Sequence, residues 1–229
     1  MRKVHLFVPN LIGYARIVLN LLAFYFMLRK PYVTVVLHFT GGFLLDVVDG
    51  ITARHLDQCS KFGDLLDMLV DRCGRIGMMM GLCVLYPQHL FAFQLVACLE
   101  IAGCWSNHYR CALLSNQHQV FQKTRATDPW ILKIFFQEPI CSFAICGQDT
   151  CVAMCYLLHF SPGPTVTLAG SSHSLWRVLA WLGVPFFVYR QVLVCGLLIL
   201  TSFGELARLH HQQSWTLNKN TSAFRDKRD

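Results

Sequence analysis

Long apolar segments separated by short polar connections dominate the pattern of this chain. A helix needs about 20 mostly apolar residues to span a bilayer, and six segments approach that length: 11–28, 32–48, 63–86, 89–105, 139–160 and 176–203. The third begins amphipathic and becomes purely apolar only from Ile76 onwards. The pattern predicts an all-α integral membrane protein, a bundle of six transmembrane helices with a short amphipathic N-terminal segment.

The composition supports a membrane domain rather than a soluble one. Of the 229 residues, 54% are hydrophobic and 14% are charged, whereas soluble domains carry about 25% charged residues. A connection rich in turn-forming residues follows the fifth segment, at Pro162-Gly163-Pro164. We expect residues 1–229 to form a single membrane domain, with a flexible tail over residues 208–229.

The positive charges lie at the ends of the apolar segments. The formal net charge is +7, but no continuous basic tract argues for nucleic acid, so anionic lipid head groups and a phosphate-bearing substrate are the expected partners. Lys and Arg cluster in the terminal regions and in the second and fourth connections, with Arg29 and Lys30 as exceptions. By the positive-inside rule, both termini and the second connection are cytosolic. The first segment is interpreted as a retained anchor, which favours the endoplasmic reticulum membrane.

Acidic residues concentrate around the second connection. Of the 13 acidic residues, six fall between Asp46 and Asp71. Asp46 and Asp49 share a helix face at spacing i,i+3, and Asp67 and Asp71 share one at i,i+4. Two helices joined by a short connection pack side by side, so we expect these four carboxylates to converge.

Four converging carboxylates repel each other unless a cation compensates. Hard oxygen ligands suit Mg²⁺ or Mn²⁺, and two such ions about 4 Å apart can bridge a pyrophosphate. Solvation at a helix end is the alternative, and it is the favoured interpretation for Asp57 and Asp64. For the other four aspartates, the paired spacing favours a two-ion metal site.

The residues between the aspartate pairs fit a phosphate-bearing ligand. Gly50 and Gly63 lack a side chain and so permit close approach, and Ala53 keeps the same face open. Arg54 can hold phosphate oxygens through its planar guanidinium group.

These residues together form the pattern D-x2-D-G-x2-A-R-x8-G-x3-D-x3-D with every spacing intact. The chain therefore resembles the CDP-alcohol phosphatidyltransferase family, whose six-helix architecture agrees with the apolar pattern. The resemblance implies that the four aspartates bind the metals, and that Asp71 is also the general base. It further implies that Gly50, Arg54 and Ser60 contact the CDP-lipid and that the protein forms a homodimer.

Other segments resemble the family members that use myo-inositol as the acceptor, namely residues 7–17, 61–73 and 157–164. The implied substrates are CDP-diacylglycerol and myo-inositol. One departure is Glu138, where the family has a basic residue; Arg125, Lys133 or Arg190 are candidate substitutes. Glycerol phosphate or serine as the acceptor, and an inactive paralogue or transporter, remain alternatives.

Three further polar residues have two interpretations each. Asn10 and Arg16 follow Pro9 at an ordinary helix start, while the family resemblance implies that they cap the nucleotide pocket. Arg190 lies within an apolar segment, where an isolated arginine must face the bundle interior. It is expected to pair with Asp149 or with a substrate phosphate.

Overall fold

The computed structural model describes residues 4–115, 129–137, 140–168 and 171–225, and these residues are almost entirely helical. The α-helices are α1 Val8–Phe26, α2 Pro31–Phe39, α3 Leu45–His55, α4 Lys61–Leu85, α5 Leu90–Ser115, α6 Trp130–Phe135, α7 Ile140–Phe160, α8 Leu175–Val188 and α9 Gly196–Arg225. Short 3₁₀ turns lie at Val4–Leu6 and Pro87–His89.

The protein is a multi-pass membrane protein, as the apolar pattern predicts. Within the described residues, five helical stretches are long and apolar enough to cross a bilayer: Val8–Phe26, Pro31–His55, Pro87–Ala112, Ile140–Phe160 and Leu175–His211. The remaining predicted span corresponds to α4, a continuous helix of 25 residues. Its first half carries the second aspartate pair, which makes it less apolar than the others.

Two of the long helical stretches contain a π-helical turn that the sequence pattern did not predict. The turn Thr40–Leu44, which contains Gly41 and Gly42, separates α2 from α3. The turn Tyr189–Cys195 joins α8 to α9 shortly after Pro185. Such turns interrupt the regular hydrogen-bond ladder and often accompany functional sites.

The predicted ends of several elements differ from the observed ones. The second helical stretch continues to His55 rather than ending near residue 48, so Asp49, Gly50 and Arg54 are all helical. The last stretch continues to Arg225, so much of the tail expected to be flexible is helical. At the other end, α1 begins at Val8, and only a single 3₁₀ turn represents the predicted amphipathic segment among the described residues.

A short β-hairpin lies in the connection between α7 and α8 and adds one detail to the all-α fold that the sequence predicts. Strands β1 Thr165–Leu168 and β2 Ser171–Ser174 pair antiparallel, with Thr165 opposite Ser174. The connection between α7 and α8 was predicted as a loop because its proline and glycine residues mark turns. Alternation of Thr and Val in β1 is a weak strand signal that those turn residues obscured.

The packing of α1 against α4 positions the site. Gly77 and Gly81 of α4 face Phe24 and Met27 of α1 so closely that a Cβ atom at either glycine would overlap them. Small residues let membrane helices approach in this way. The order of these contacts shows that α1 and α4 run parallel.

The second helical stretch runs antiparallel to α1. Thr34 donates a hydrogen bond to the Ala23 carbonyl oxygen, 3.3 Å away, and Gly41 lies against Leu19 further along the pair. Helix α1 therefore contacts both segments that carry the aspartate pairs. Exposed apolar side chains, among them Phe91, Val84 and Leu200, cover the outside of the bundle as expected for a surface that faces lipid.

Candidate active site

The two aspartate pairs lie on facing helices, close to one another. Asp46 and Asp49 project from α3, and Asp67 and Asp71 from α4. Carboxylate oxygens of Asp46, Asp49 and Asp67 all lie within 4.8 Å of one another. We refer to Asp46, Asp49, Asp67 and Asp71 as the aspartate cluster; the structure brings its members together as the helical spacing predicted.

Arg16 of α1 lies at the centre of this cluster. Its Nη1 atom is 2.6 Å from Oδ2 of Asp49 and 2.6 Å from Oδ1 of Asp67. Its Nη2 atom is 2.9 Å from Oδ1 of Asp46 and 2.5 Å from Oδ1 of Asp71. The side chain is fully buried, and Nε donates to the Gly41 carbonyl oxygen at 2.8 Å. Arg16 therefore contacts all four carboxylates of the cluster.

The cluster carries more negative than positive charge. The four carboxylates share the one guanidinium group of Arg16. A second cation, Arg75, contacts only one of them, with its Nη2 atom 3.3 Å from Oδ2 of Asp71. Closely spaced like charges favour the binding of further cations. All the donor atoms are carboxylate oxygens, which suit Mg²⁺ or Mn²⁺ rather than zinc, so the donor set fits the divalent ions that the sequence predicts.

A pocket of about 200 Å³ opens beside the cluster. We call it the α3–α4 pocket, because residues of those helices and of the turn between them form most of its wall. Asp49 and Asp67 belong to both the pocket and the cluster. The other predicted ligand-binding residues that line it are Asn10, Gly50, Ala53, Arg54, Ser60 and Gly63. A single pocket thus contains most of the residues singled out from the sequence.

The N-terminus of α4 forms one side of this pocket. Ser60 has an extended backbone and caps the helix, and its hydroxyl oxygen accepts a hydrogen bond from the Gly63 amide at 3.0 Å. A Cβ atom at Gly63 would lie 2.8 Å from Oδ1 of Asn10, so a larger residue at this position would require the Asn10 side chain to move. Helix N-termini favour bound phosphate groups because their amide N–H groups point outwards.

A second group of buried charges lies around Glu100 of α5. Its carboxylate contacts Nη1 of Arg190 at 2.8 Å and also contacts Arg72. Gln148 and Gln191 complete this Glu100 network through hydrogen bonds to Arg190 and to Glu100, respectively. Buried charges in a membrane protein need such partners.

The position of Arg190 corrects one sequence interpretation. Arg190 does not line the α3–α4 pocket, and its partner is Glu100 rather than Asp149. Asp149 instead accepts a hydrogen bond from Nε of Arg75 at 3.1 Å. Arg75 thereby joins Asp71 to Asp149, a link that the sequence analysis missed although Asp71 and Arg75 stand at spacing i,i+4.

Some of the predicted features fall outside the described residues. Glu138, the departure from the family pattern, is one of them, and so is Arg125. Lys133 lies on the short helix α6, and α6 packs against α7 and the second π-helical turn.

Comparison with known proteins identifies relatives over most of the chain. The family model described as "CDP-alcohol phosphatidyltransferase" matches residues 6–189. A protein of Drosophila melanogaster named "CDP-diacylglycerol--inositol 3-phosphatidyltransferase" is 38% identical over 192 residues, which cover 83% of this chain and 81% of that protein.

Proteins of the same name from other organisms are also similar. The mouse protein is 36% identical over 209 residues, covering 90% of this chain and 94% of its own. The Saccharomyces cerevisiae protein is 34% identical over 186 residues, covering 81% of this chain and 79% of its own. No solved structure was found to match the chain.

Proposed function

The chain belongs to the CDP-alcohol phosphatidyltransferase family, and on that premise we propose that it transfers the phosphatidyl group of CDP-diacylglycerol to myo-inositol, which gives phosphatidylinositol and CMP. The observation that carries the proposal is the position of the aspartate cluster at the wall of the α3–α4 pocket. The names of the relatives in animals and yeast support CDP-diacylglycerol and inositol as the two substrates.

Two divalent cations, Mg²⁺ or Mn²⁺, are the proposed cofactors. The family is metal-dependent, and Asp46, Asp49, Asp67 and Asp71 are the proposed ligands. Bound there, the ions would neutralise charge on the pyrophosphate and on the departing CMP.

The α3–α4 pocket is the proposed site for the CDP group. Its volume of about 200 Å³ suits part of a nucleotide rather than a whole lipid, so the acyl chains would remain in the bilayer. Arg54 supplies a cation for phosphate oxygens, and Ser60 orients the N-terminus of α4. Gly50, Ala53 and Gly63 keep the wall open, and Asn10 closes the side formed by α1.

The proposed reaction is an in-line displacement at the phosphorus that bears diacylglycerol. The carboxylate of Asp71 takes the proton from the acceptor hydroxyl as that oxygen forms a bond to phosphorus. The bond from phosphorus to the CMP oxygen breaks, and CMP departs with the electron pair. Arg75, 3.3 Å from Oδ2 of Asp71, holds the Asp71 side chain in position.

The proposed location is the endoplasmic reticulum membrane, with both termini and the active site in the cytosol. The distribution of Lys and Arg along the chain supports this orientation. A homodimer is the proposed assembly.

An acceptor panel tests the proposed function. Purified protein is supplied with CDP-diacylglycerol, Mn²⁺ and one of myo-inositol, serine or glycerol 3-phosphate, and CMP release is measured. The expected result is release that requires myo-inositol and disappears with EDTA. CMP release with another alcohol would identify that alcohol as the acceptor in place of myo-inositol. No CMP release with any of the three alcohols would contradict the proposed activity.

A further inference from the structure

A small polar cavity lies deeper in the bundle than the aspartate cluster. It has room of about 10 Å³, which is about the space that one water molecule or one hydroxyl group needs. We call it the deep cavity. The residues that line it are Asn20, His38, Gly42, Val70, Asp71, Gly74, Arg75 and Asp149.

Three side chains at the deep cavity have hydrogen-bonding atoms without a hydrogen-bond partner among the described residues. They are Oδ1 of Asn20, Nδ1 of His38 and Nη1 of Arg75, and the last of these lies 3.5 Å from the Glu100 carboxylate as an ion pair. Asn20 is 5% exposed and His38 is 6% exposed, so both are almost completely buried. A buried polar atom without a hydrogen bond is unfavourable, which indicates that an ordered water molecule or a polar group of a ligand binds here.

The deep cavity and the α3–α4 pocket lie on opposite sides of the aspartate cluster. Along three helical segments, a residue of the α3–α4 pocket comes first, a residue at the aspartate cluster second and a residue of the deep cavity third. On α1 these residues are Asn10, Arg16 and Asn20, and on α4 they are Gly63, Asp67 and Gly74. Along α3 and α2 they are Gly50, Asp46 and His38. Asp71 belongs to both the cluster and the deep cavity.

This order matters because an in-line displacement needs the attacking oxygen and the leaving group on opposite sides of the phosphorus. With CMP in the α3–α4 pocket, the attacking hydroxyl approaches from the side of the deep cavity. From this arrangement we propose that the deep cavity receives a hydroxyl group of the acceptor alcohol, bound by Asn20 and His38 next to Asp71. The inference rests on the proposed function and adds two acceptor-binding residues to it.

The charges around the deep cavity indicate which kind of alcohol fits. Asp71 and Asp149 supply two carboxylates, and Arg75 lies between them as their shared partner at 3.3 and 3.1 Å. Among the residues that line the cavity, negative charge therefore exceeds positive charge, although Arg16 also contacts Asp71 from the side of the cluster. An anionic acceptor such as glycerol 3-phosphate is repelled there, whereas the hydroxyl groups of a neutral polyol can both donate and accept hydrogen bonds.

The test separates the binding of the two substrates. Asn20→Ala and His38→Leu remove the unpartnered atoms of the two neutral side chains, and His38→Gln retains a hydrogen-bonding group at His38. Thr34→Val is the matched control, because Thr34 is a buried polar residue one turn from His38 on α2 that does not line the deep cavity. KM for myo-inositol and KM for CDP-diacylglycerol are measured for each protein.

KM for myo-inositol is expected to rise about ten-fold in Asn20→Ala and in His38→Leu, because each variant loses one hydrogen bond to the acceptor. KM for CDP-diacylglycerol should stay unchanged. His38→Gln should restore part of the loss, and Thr34→Val should change neither constant. Unchanged or equally changed constants would show that the deep cavity holds only an ordered water, and would overturn the inference.

Two further outcomes keep the inference separate from the proposed function. If the wild type uses a different alcohol, the proposed acceptor is wrong, and the same comparison of KM values is made with that alcohol. If one of Asn20→Ala and His38→Leu does not fold, binding of myo-inositol to the wild type and to the other of these two variants is compared by saturation-transfer NMR. Equal binding by these two proteins would also overturn the inference.

Discussion

Nη1 of Arg16 lies 2.6 Å from Oδ2 of Asp49, within a set of contacts that joins this one guanidinium group to all four members of the aspartate cluster. A divalent cation bound by the same aspartates would need oxygen atoms of the carboxylates that Arg16 contacts. We therefore expect Arg16 and the proposed metal ions to compete for these four carboxylates.

Replacing Arg16 should increase the stabilisation that metal ions provide. In Arg16→Gln, four carboxylates repel each other without a central cation, so the protein should unfold at a lower temperature in EDTA. Added Mn²⁺ should then raise Tm more than it does in the wild type, because a ligand that binds only the folded state stabilises it. Thermal unfolding in detergent measures both effects.

Arg54→Gln is the control for this experiment. Arg54 lies at the α3–α4 pocket beside Gly50, so its replacement removes one positive charge nearby without opening the centre of the cluster. A rise in Tm with Mn²⁺ that is smaller in Arg16→Gln than in the wild type would show that Arg16 supports the metal site rather than competing for it.

Asp71→Asn should abolish most of the catalysis. The amide cannot take the proton of the acceptor hydroxyl, and general-base catalysis contributes about 10²–10⁴-fold, so kcat for CMP release should fall by at least that factor. Asp57→Asn is the matched control, because Asp57 is exposed in the turn before α4 and has a φ angle of 51°, which asparagine tolerates. Its kcat should stay near that of the wild type.

Gly63→Ala should weaken the binding of CDP-diacylglycerol. The added Cβ atom would lie 2.8 Å from Oδ1 of Asn10 and 3.2 Å from the Ser60 hydroxyl oxygen, so the wall of the α3–α4 pocket has to shift. KM for CDP-diacylglycerol should rise, whereas Gly204→Ala should leave it unchanged because nothing lies within 4 Å of a Cβ atom there. Equal KM values for the two variants would argue against this pocket as the CDP site.

The Glu100 network should matter for stability. Glu100→Ala leaves Arg190 and Arg72 without their shared carboxylate, and breaking a buried ion pair costs about 3–5 kcal/mol. Arg208→Ala is the comparison, because the Arg208 side chain is 70% exposed and lies 3.9 Å from Glu205, and ion pairs of such an exposed side chain contribute about 0–1 kcal/mol. A large fall in Tm is expected only for Glu100→Ala. Similar falls in Tm for the two variants would contradict a structural role for the Glu100 network.

The parts of the site that sequence reasoning predicted depend on local periodicity. The i,i+3 and i,i+4 spacings place Asp46 with Asp49 and Asp67 with Asp71 on shared faces, and the short connection forces α3 and α4 together. Each of these relationships lies within one helix or between neighbours in sequence. The convergence of the four carboxylates was therefore predictable, and their function as metal ligands remains a proposal.

Apart from the Asp71–Arg75 pair at spacing i,i+4, the contacts that sequence reasoning missed join distant parts of the chain. Arg16 meets Asp71 across 55 positions, and Arg190 meets Glu100 across 90. An arginine in an apolar segment indicates that a buried partner exists, but not which of several carboxylates is that partner. The π-helical turn at Gly41 and Gly42 was also missed, because a glycine within a predicted helix does not indicate that the backbone hydrogen bonds change from the α-helical to the π-helical pattern.

The account depends most directly on the aspartate cluster as a two-ion site, which a Mn²⁺ titration followed by electron paramagnetic resonance tests. The wild-type protein should bind two Mn²⁺ ions per chain, and Asp46→Asn and Asp67→Asn should each bind fewer ions or bind them more weakly. Asp57→Asn should match the wild type. Unchanged stoichiometry and affinity in Asp46→Asn and Asp67→Asn would show that the ions bind elsewhere and would contradict the proposed active site.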